Sequence, residues 1–144
     1  MNLLFCINAK FRHLLCQCLR SVVLHGGEEG YDAYILHSDL SPEDLEAITQ
    51  VSPRVRCHFV TVDPALFDGF PERSRYPRQI YYRLAAPLLL PRDLDRILYL
   101  DVDTLVINPL KSFYTMDFEG NYYIACTHIR EALTKLNDLR LKVP

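Results

Sequence analysis

Apolar and polar residues alternate along the chain in blocks that change period, and the periods predict its elements. Leu3-Leu4-Phe5-Cys6-Ile7 is an unbroken apolar run that gives way to polar residues, the pattern of a strand buried on both faces. From His13 to Leu24 the residues Leu14, Leu15, Cys18, Leu19, Val22 and Val23 recur at helical spacing, and Gly26-Gly27 ends that segment. Ala33 to Leu36 reads as a short second strand. Ser41-Pro42-Glu43-Asp44 starts a helix: a capping serine, a proline where no amide hydrogen is needed, and acids in the positive first turn. Leu45 and Ile48 are then its inward residues. Between Val55 and Val62 the apolar Val55, Cys57 and Phe59 alternate with Arg56 and His58, as in a half-exposed strand. The order β-α-β-α-β predicts an α/β sheet with helical crossovers.

The second half is less regular. Residues 64–77 are rich in turn formers and read as a loop or short helical pieces. Arg78 to Leu90 returns to helical spacing, with Ile80, Leu84 and Leu88 on one side and Pro87 placed to bend or end the helix. Asp95 to Leu100 climbs into a second buried strand that ends at Asp101. Tyr122 to Cys126 reads as another strand and Arg130 to Leu139 as a last helix.

Length and charge narrow the class. At 144 residues the chain is one domain rather than two. Its net charge of −2 leaves no basic footprint, which argues against nucleic acid as a partner. Arg73, Arg75, Arg78 and Arg83 cluster locally, and such a cluster either faces water or meets phosphates. The apolar start, Met1 to Ile7, is too short for a membrane span and lacks a basic leader. Five cysteines, at 6, 16, 18, 57 and 126, match no zinc or redox spacing. They read as buried thiols of a reducing cytosol. The expected location is cytoplasmic, with peripheral attachment at the inner face of a membrane as the variant of that expectation.

The chemistry concentrates in Ile97-Leu98-Tyr99-Leu100-Asp101-Val102-Asp103. Positions two apart in an extended chain share a face, so both carboxylates can converge on one point. Two such anions repel, and a divalent cation relieves the repulsion while taking their hard oxygens as ligands. Open α/β sheets also hold their ligands just beyond the carboxyl ends of strands. On the pattern alone, acids that merely cap a turn remain the alternative.

The surrounding residues add a resemblance. Tyr81-Tyr82-Arg83-Leu84, then Pro87 and Leu88-Leu89-Leu90-Pro91, then Asp95 to Asp103 resembles glycosyltransferase family 8. That family of UDP-sugar-dependent, retaining enzymes includes bacterial lipopolysaccharide galactosyl- and glucosyltransferases and glycogenin. The resemblance implies a GT-A-type nucleotide-diphospho-sugar transferase fold, a Rossmann-like mixed sheet flanked by helices. It implies that Asp101 and Asp103 hold manganese, with magnesium as the alternative, against the diphosphate of UDP-glucose or UDP-galactose. Arg83 would reach the sugar and diphosphate region, where a planar, permanently charged guanidinium is suited to the task. Ile7, Asn8 and Phe11 match the uridine-binding turn, and the Val102 backbone would line the ribose. The reaction implied is transfer of a hexose, with retention, to a saccharide or lipid-linked saccharide acceptor, as in lipopolysaccharide biosynthesis. No catalytic base is assigned.

The chain departs from the family pattern in several places. Asn8 stands where an aspartate is common, and an amide can still accept from uracil. Phe11 keeps the ring of the usual tyrosine without its hydroxyl. His128 stands where an acid commonly meets the donor sugar. The family's third metal ligand, a histidine near the C-terminus, has no counterpart here. The expectation is therefore that residues 1–144 form the nucleotide-sugar-binding part of one transferase domain without its acceptor-binding and metal-completing part. On that expectation these residues alone turn over little and self-associate; an inactive fragment, or one that only binds UDP, is the competing expectation. Haloacid-dehalogenase phosphohydrolases also end an apolar strand in Asp-x-Asp, as nucleophile and acid or base. Their motif lies near the chain's start and carries threonine or valine where this chain has Leu105.

Overall fold

The computed structural model describes residues 1–71 and 78–126. Four parallel strands form its sheet: β1 (Asn2–Cys6), β2 (Tyr31–His37), β3 (Val55–Thr61) and β4 (Leu98–Tyr99), in the order β3-β2-β1-β4. Helix α1 (Arg12–His25) links β1 to β2, and α2 (Pro42–Thr49) links β2 to β3. After β3 the chain crosses back over the sheet through α3 (Tyr82–Leu89) to place β4 on the other side of β1. A one-turn helix α4 (Lys111–Tyr114) follows. Every strand pair among the described residues is parallel. The order reverses beside β1, which opens a crevice at the carboxyl ends of β1 and β4.

The central strand is buried as its apolar run requires. Leu3, Phe5 and Ile7 face α1, where Leu15, Cys18, Leu19 and Val22 complete one core. Leu4 faces the other way and packs with Tyr34, Leu36, Phe67 and Tyr82 in a second core under α3. Ser41 caps α2 through a reciprocal box: its hydroxyl accepts from the Asp44 amide, and the Asp44 carboxylate accepts from the Ser41 amide. Gly27 ends the α1 turn with φ of +83°, a conformation open to glycine, and a Cβ there would press on Pro109.

Several expectations are corrected. The helix expected over Arg78 to Leu90 begins as a 3-10 turn (Arg78–Tyr81), and Pro87 lies within α3 without ending it. Proline removes the bond to the Arg83 carbonyl, yet the Leu90 amide still closes on Ala86. The side of α3 that carries Leu84 and Leu88 faces outward, while Tyr82, Ala85 and Ala86 face the sheet. The expected buried strand over 95–100 is a two-residue, half-buried β4, because among the described residues it has a neighbour on one side alone. Tyr122 to Cys126 forms no strand and Tyr122 is fully exposed, because nothing described lies beside that segment to pair with it. Of the cysteines, Cys18 is buried, Cys126 is exposed and the rest lie between. The helix expected over Arg130 to Leu139, and His128, lie outside the described residues. No helix among the described residues is long and apolar enough to cross a membrane.

Candidate functional site

A cavity of about 330 Å³ lies in the crevice at the carboxyl ends of β1 and β4. Its wall comes from three stretches of chain: Cys6, Ile7, Asn8, Phe11 and Leu14 after β1; Gln79, Ile80 and Arg83 at the start of α3; and Tyr99 to Asp103 after β4. All seven residues singled out in the sequence (Ile7, Asn8, Phe11, Arg83, Asp101, Val102 and Asp103) therefore line one cavity. They lie up to 96 positions apart in the chain, counting from Ile7 to Asp103.

The backbone route to that convergence differs from the one expected. Asp101 and Asp103 do not lie on an extended strand. The Thr104 amide bonds the Asp101 carbonyl at 3.0 Å, so both acids sit on a turn immediately after β4. Between them Val102 turns its side chain onto the core of β1 and α1 and pins the turn. Both carboxylates are exposed, and among the described residues neither forms an ion pair. The Tyr99 hydroxyl donates to Asp101 Oδ1 at 2.6 Å.

Arg83 is half-buried, with its Nε donating to the Ile80 carbonyl at 2.9 Å and its guanidinium lying 4.6 Å from the centre of the Tyr99 ring. The cation and the acids leave their mark on neighbouring groups. Burial pushes the Cys6 thiol up to about 12; Arg83 opposes this and Asp101 adds to it. Burial, with Asp103 adding, raises Cys18 to about 11. Tyr99 is also raised, first by burial, then by its hydrogen bond to Asp101. The two thiols are accordingly protonated at neutral pH and poor nucleophiles.

Opposite the acids, Asn8 precedes the 3-10 turn Ala9–Phe11 without capping it through its side chain. Asp39, from the loop after β2, caps it instead by accepting from the Ala9 amide at 3.1 Å. The Oδ1 of Asn8 is shut off from solvent with no hydrogen-bond partner. Phe11 is half-buried and keeps Lys10 6.0 Å from its ring centre.

The carboxylate pair suits a hard divalent ion. Two oxygen donors of like charge share a cavity, and no ion pair among the described residues takes either of them; such a donor set is one that magnesium-like ions take while phosphates and water fill the rest. No group of three metal-ligating side chains occurs among the described residues. Sequence reasoning missed Tyr99, Asp39 and the pocket thiol Cys6. Tyr99 could have been found: it stands two positions before Asp101. Nothing in the pattern signals Asp39, because its contact crosses from one strand end to another.

Comparison with known proteins fits this geometry. Residues 2–143 match the model of glycosyl transferase family 8. The chain is 29% identical over 106 residues to glycosyltransferase GlyF of Streptococcus pneumoniae, covering 71% of this chain and 25% of that one. It is 22% identical over 121 residues to general stress protein A of Bacillus subtilis, covering 81% and 42%. Among solved structures, an active-site mutant of LgtC superposes with a TM-score of 0.80 at 25% identity, over 90% of this chain and 47% of that one. The galactosyltransferase LgtC in complex with donor and acceptor sugar analogues gives 0.73 at 26%, over 82% and 43%. The chain thus spans less than half the length of these relatives. The fold is the GT-A-type nucleotide-diphospho-sugar transferase fold, and the phosphohydrolase alternative falls away. With that fold, that match and a carboxylate turn at the mouth of the crevice, the chain belongs to glycosyl transferase family 8.

Proposed function

We propose that residues 1–144 form the donor-binding part of a transferase domain that moves a hexose from UDP-glucose or UDP-galactose to a hydroxyl of a saccharide or lipid-linked saccharide, with retention. The observation that carries this reading is one cavity lined together by an Asp-x-Asp turn, an arginine and the turn from Ile7 to Phe11. Its volume is that of a small-ligand site.

In this reading Asp101 and Asp103 hold a divalent ion, manganese or magnesium; enzymes of this family typically need such a metal. A metal bound there would supply Lewis-acid stabilisation of the departing diphosphate. The chain's own residues do the remaining work. Arg83 offers a fixed cation to the diphosphate and sugar, aimed by its Ile80 tether. Phe11 gives a flat apolar surface for the uracil ring, and Ile7 closes the pocket beneath it. The Asn8 side-chain nitrogen donates to the base edge, and the Val102 backbone runs beside the ribose. Holding the donor in one orientation next to fixed charge is how such a site gains most of its rate. The relatives named above extend well beyond the length matched here, so turnover is proposed for the whole transferase and donor binding for these residues.

Calorimetry tests the reading. UDP should bind, and manganese should strengthen that binding. Asp101→Asn or Asp103→Asn should remove the manganese effect while leaving the circular dichroism spectrum unchanged. Equal UDP affinity with and without manganese would reject the assignment of the acids.

A further inference from the structure

The donor site contains a cation and an anion that do not meet. Arg83 and Asp101 line the same cavity, and among the described residues neither has an ion-pair partner. A guanidinium and a carboxylate free to approach would form a strong two-bond pair, and both would then be lost to a ligand. Both touch Tyr99. Its ring face carries the Arg83 guanidinium at 4.6 Å, and its hydroxyl, at the ring edge, donates to Asp101 Oδ1 at 2.6 Å. Face and edge of one ring point in different directions, so one side chain holds the two charges apart while giving each a favourable contact.

The ring itself is fixed. Tyr99 pairs with Leu4 across β1 and β4, its side chain packs against the core beneath α3, and the Leu100 amide bonds the Leu4 carbonyl at 3.1 Å. Arg83 is fixed from its own side by the Ile80 carbonyl. Only Oδ1 of Asp101 is taken by Tyr99, which leaves Oδ2 for the cavity.

We propose that Tyr99 is a positioning residue of the donor site, a spacer that orients Asp101 through its hydroxyl and parks Arg83 on its ring so that neither charge neutralises the other. This rests on the donor-site reading above. Two variants separate its two contacts. Tyr99→Phe keeps the ring and removes the hydroxyl. Tyr99→Leu removes both the parking face and the hydrogen bond.

The test uses the whole 144-residue chain, with UDP binding measured by calorimetry and manganese binding by electron paramagnetic resonance of the free ion. In Tyr99→Phe the manganese-dependent gain in UDP affinity should fall about tenfold, as expected when a charge-assisted hydrogen bond is lost, with metal-free UDP affinity unchanged. In Tyr99→Leu metal-free UDP affinity should also fall, because Arg83 now pairs with Asp101. Adding Asp101→Asn to Tyr99→Leu should free Arg83 and rescue the metal-free affinity by a larger factor than Asp101→Asn gives in the otherwise unchanged chain, an excess that a merely structural tyrosine would not show. An unchanged manganese gain in Tyr99→Phe, or no such excess in the double variant, overturns the spacer role. Wild-type protein whose UDP affinity ignores manganese would instead overturn the donor-site reading, and the spacer role with it.

Discussion

The three-strand side of the sheet and the stretch from β4 to Cys126 are built to different standards. On the first side Leu3, Phe5, Leu15, Leu19, Val22 and Ile35 are wholly removed from water. In residues 98–126 Val106 alone is buried, while Leu105 is 66% exposed, Ile107 75% and Tyr122 fully exposed. The first region holds itself together; the second is held to it at particular points. The Ser21 hydroxyl accepts from the Val106 amide at 2.9 Å, the Gly26 carbonyl accepts from Leu110 at 2.9 Å, and Arg96 and Asn2 tie down Tyr114. The acidic turn belongs to the weaker region and the turn from Ile7 to Phe11, across the cavity lining, to the stronger one. The candidate site is therefore a seam.

Substitutions can break or sharpen that contrast. The largest effect is expected at Phe5→Ala, which should cost about 3–5 kcal/mol in urea unfolding, whereas Ile107→Ala should stay within about 0.5 kcal/mol. Similar losses at both positions would end the distinction between the regions. Ser21→Ala comes next. It leaves the buried Val106 amide without an acceptor, which costs about 1–3 kcal/mol. Amide exchange should quicken across 98–110 and not in β1 or β2; uniform quickening would mean that the two regions open together.

A pH effect should follow from His37, in the stronger region. Burial lowers its folded pKa, with Asp39 opposing, and its Nδ1 accepts from the Leu40 amide at 3.4 Å, a bond that the protonated ring cannot keep. The unfolded state then binds the proton more readily. Its contribution is full above the ordinary histidine value and fades as pH falls through that value towards the depressed one. His37→Gln should flatten the urea midpoint between about pH 7 and pH 5; a slope that survives in the variant would place the titration elsewhere. The smallest change in stability belongs to Leu105→Ser with Ile107→Ser. The chain should self-associate through its exposed apolar area, and this pair should lower its apparent mass in light scattering while barely moving its melting temperature.

Much of the strong region was legible in the sequence. The run at Leu3–Ile7, the spacing from Leu14 to Val23 and the cap at Ser41 are local signals, and each produced the expected element. The weak region was harder to read. Ile80, Leu84 and Leu88 have helical spacing, but spacing does not say which side meets the sheet, and Tyr82 with two small alanines won that place. Tyr122 to Cys126 has strand composition, yet a strand also needs a partner, and composition carries no information about one. The site residues were read through a motif, and their convergence on one cavity was not visible in any local window. The turn that presents the acids was missed because Asp-x-Asp suits an extended chain and a turn equally.

Val102 joins a core side chain to two exposed carboxylates, and this makes the candidate site a thermodynamic lever on the fold. Whatever binds Asp101 and Asp103 in the folded state alone must stabilise that state by mass action, about 2.7 kcal/mol at a hundredfold excess over Kd. That is comparable to the ties that hold residues 98–126 in place. A donor and its ion would thus act as a folding partner for the weaker region. By reciprocity, a cavity opened beneath Val102 would be felt as a loss of affinity at carboxylates that never touch it.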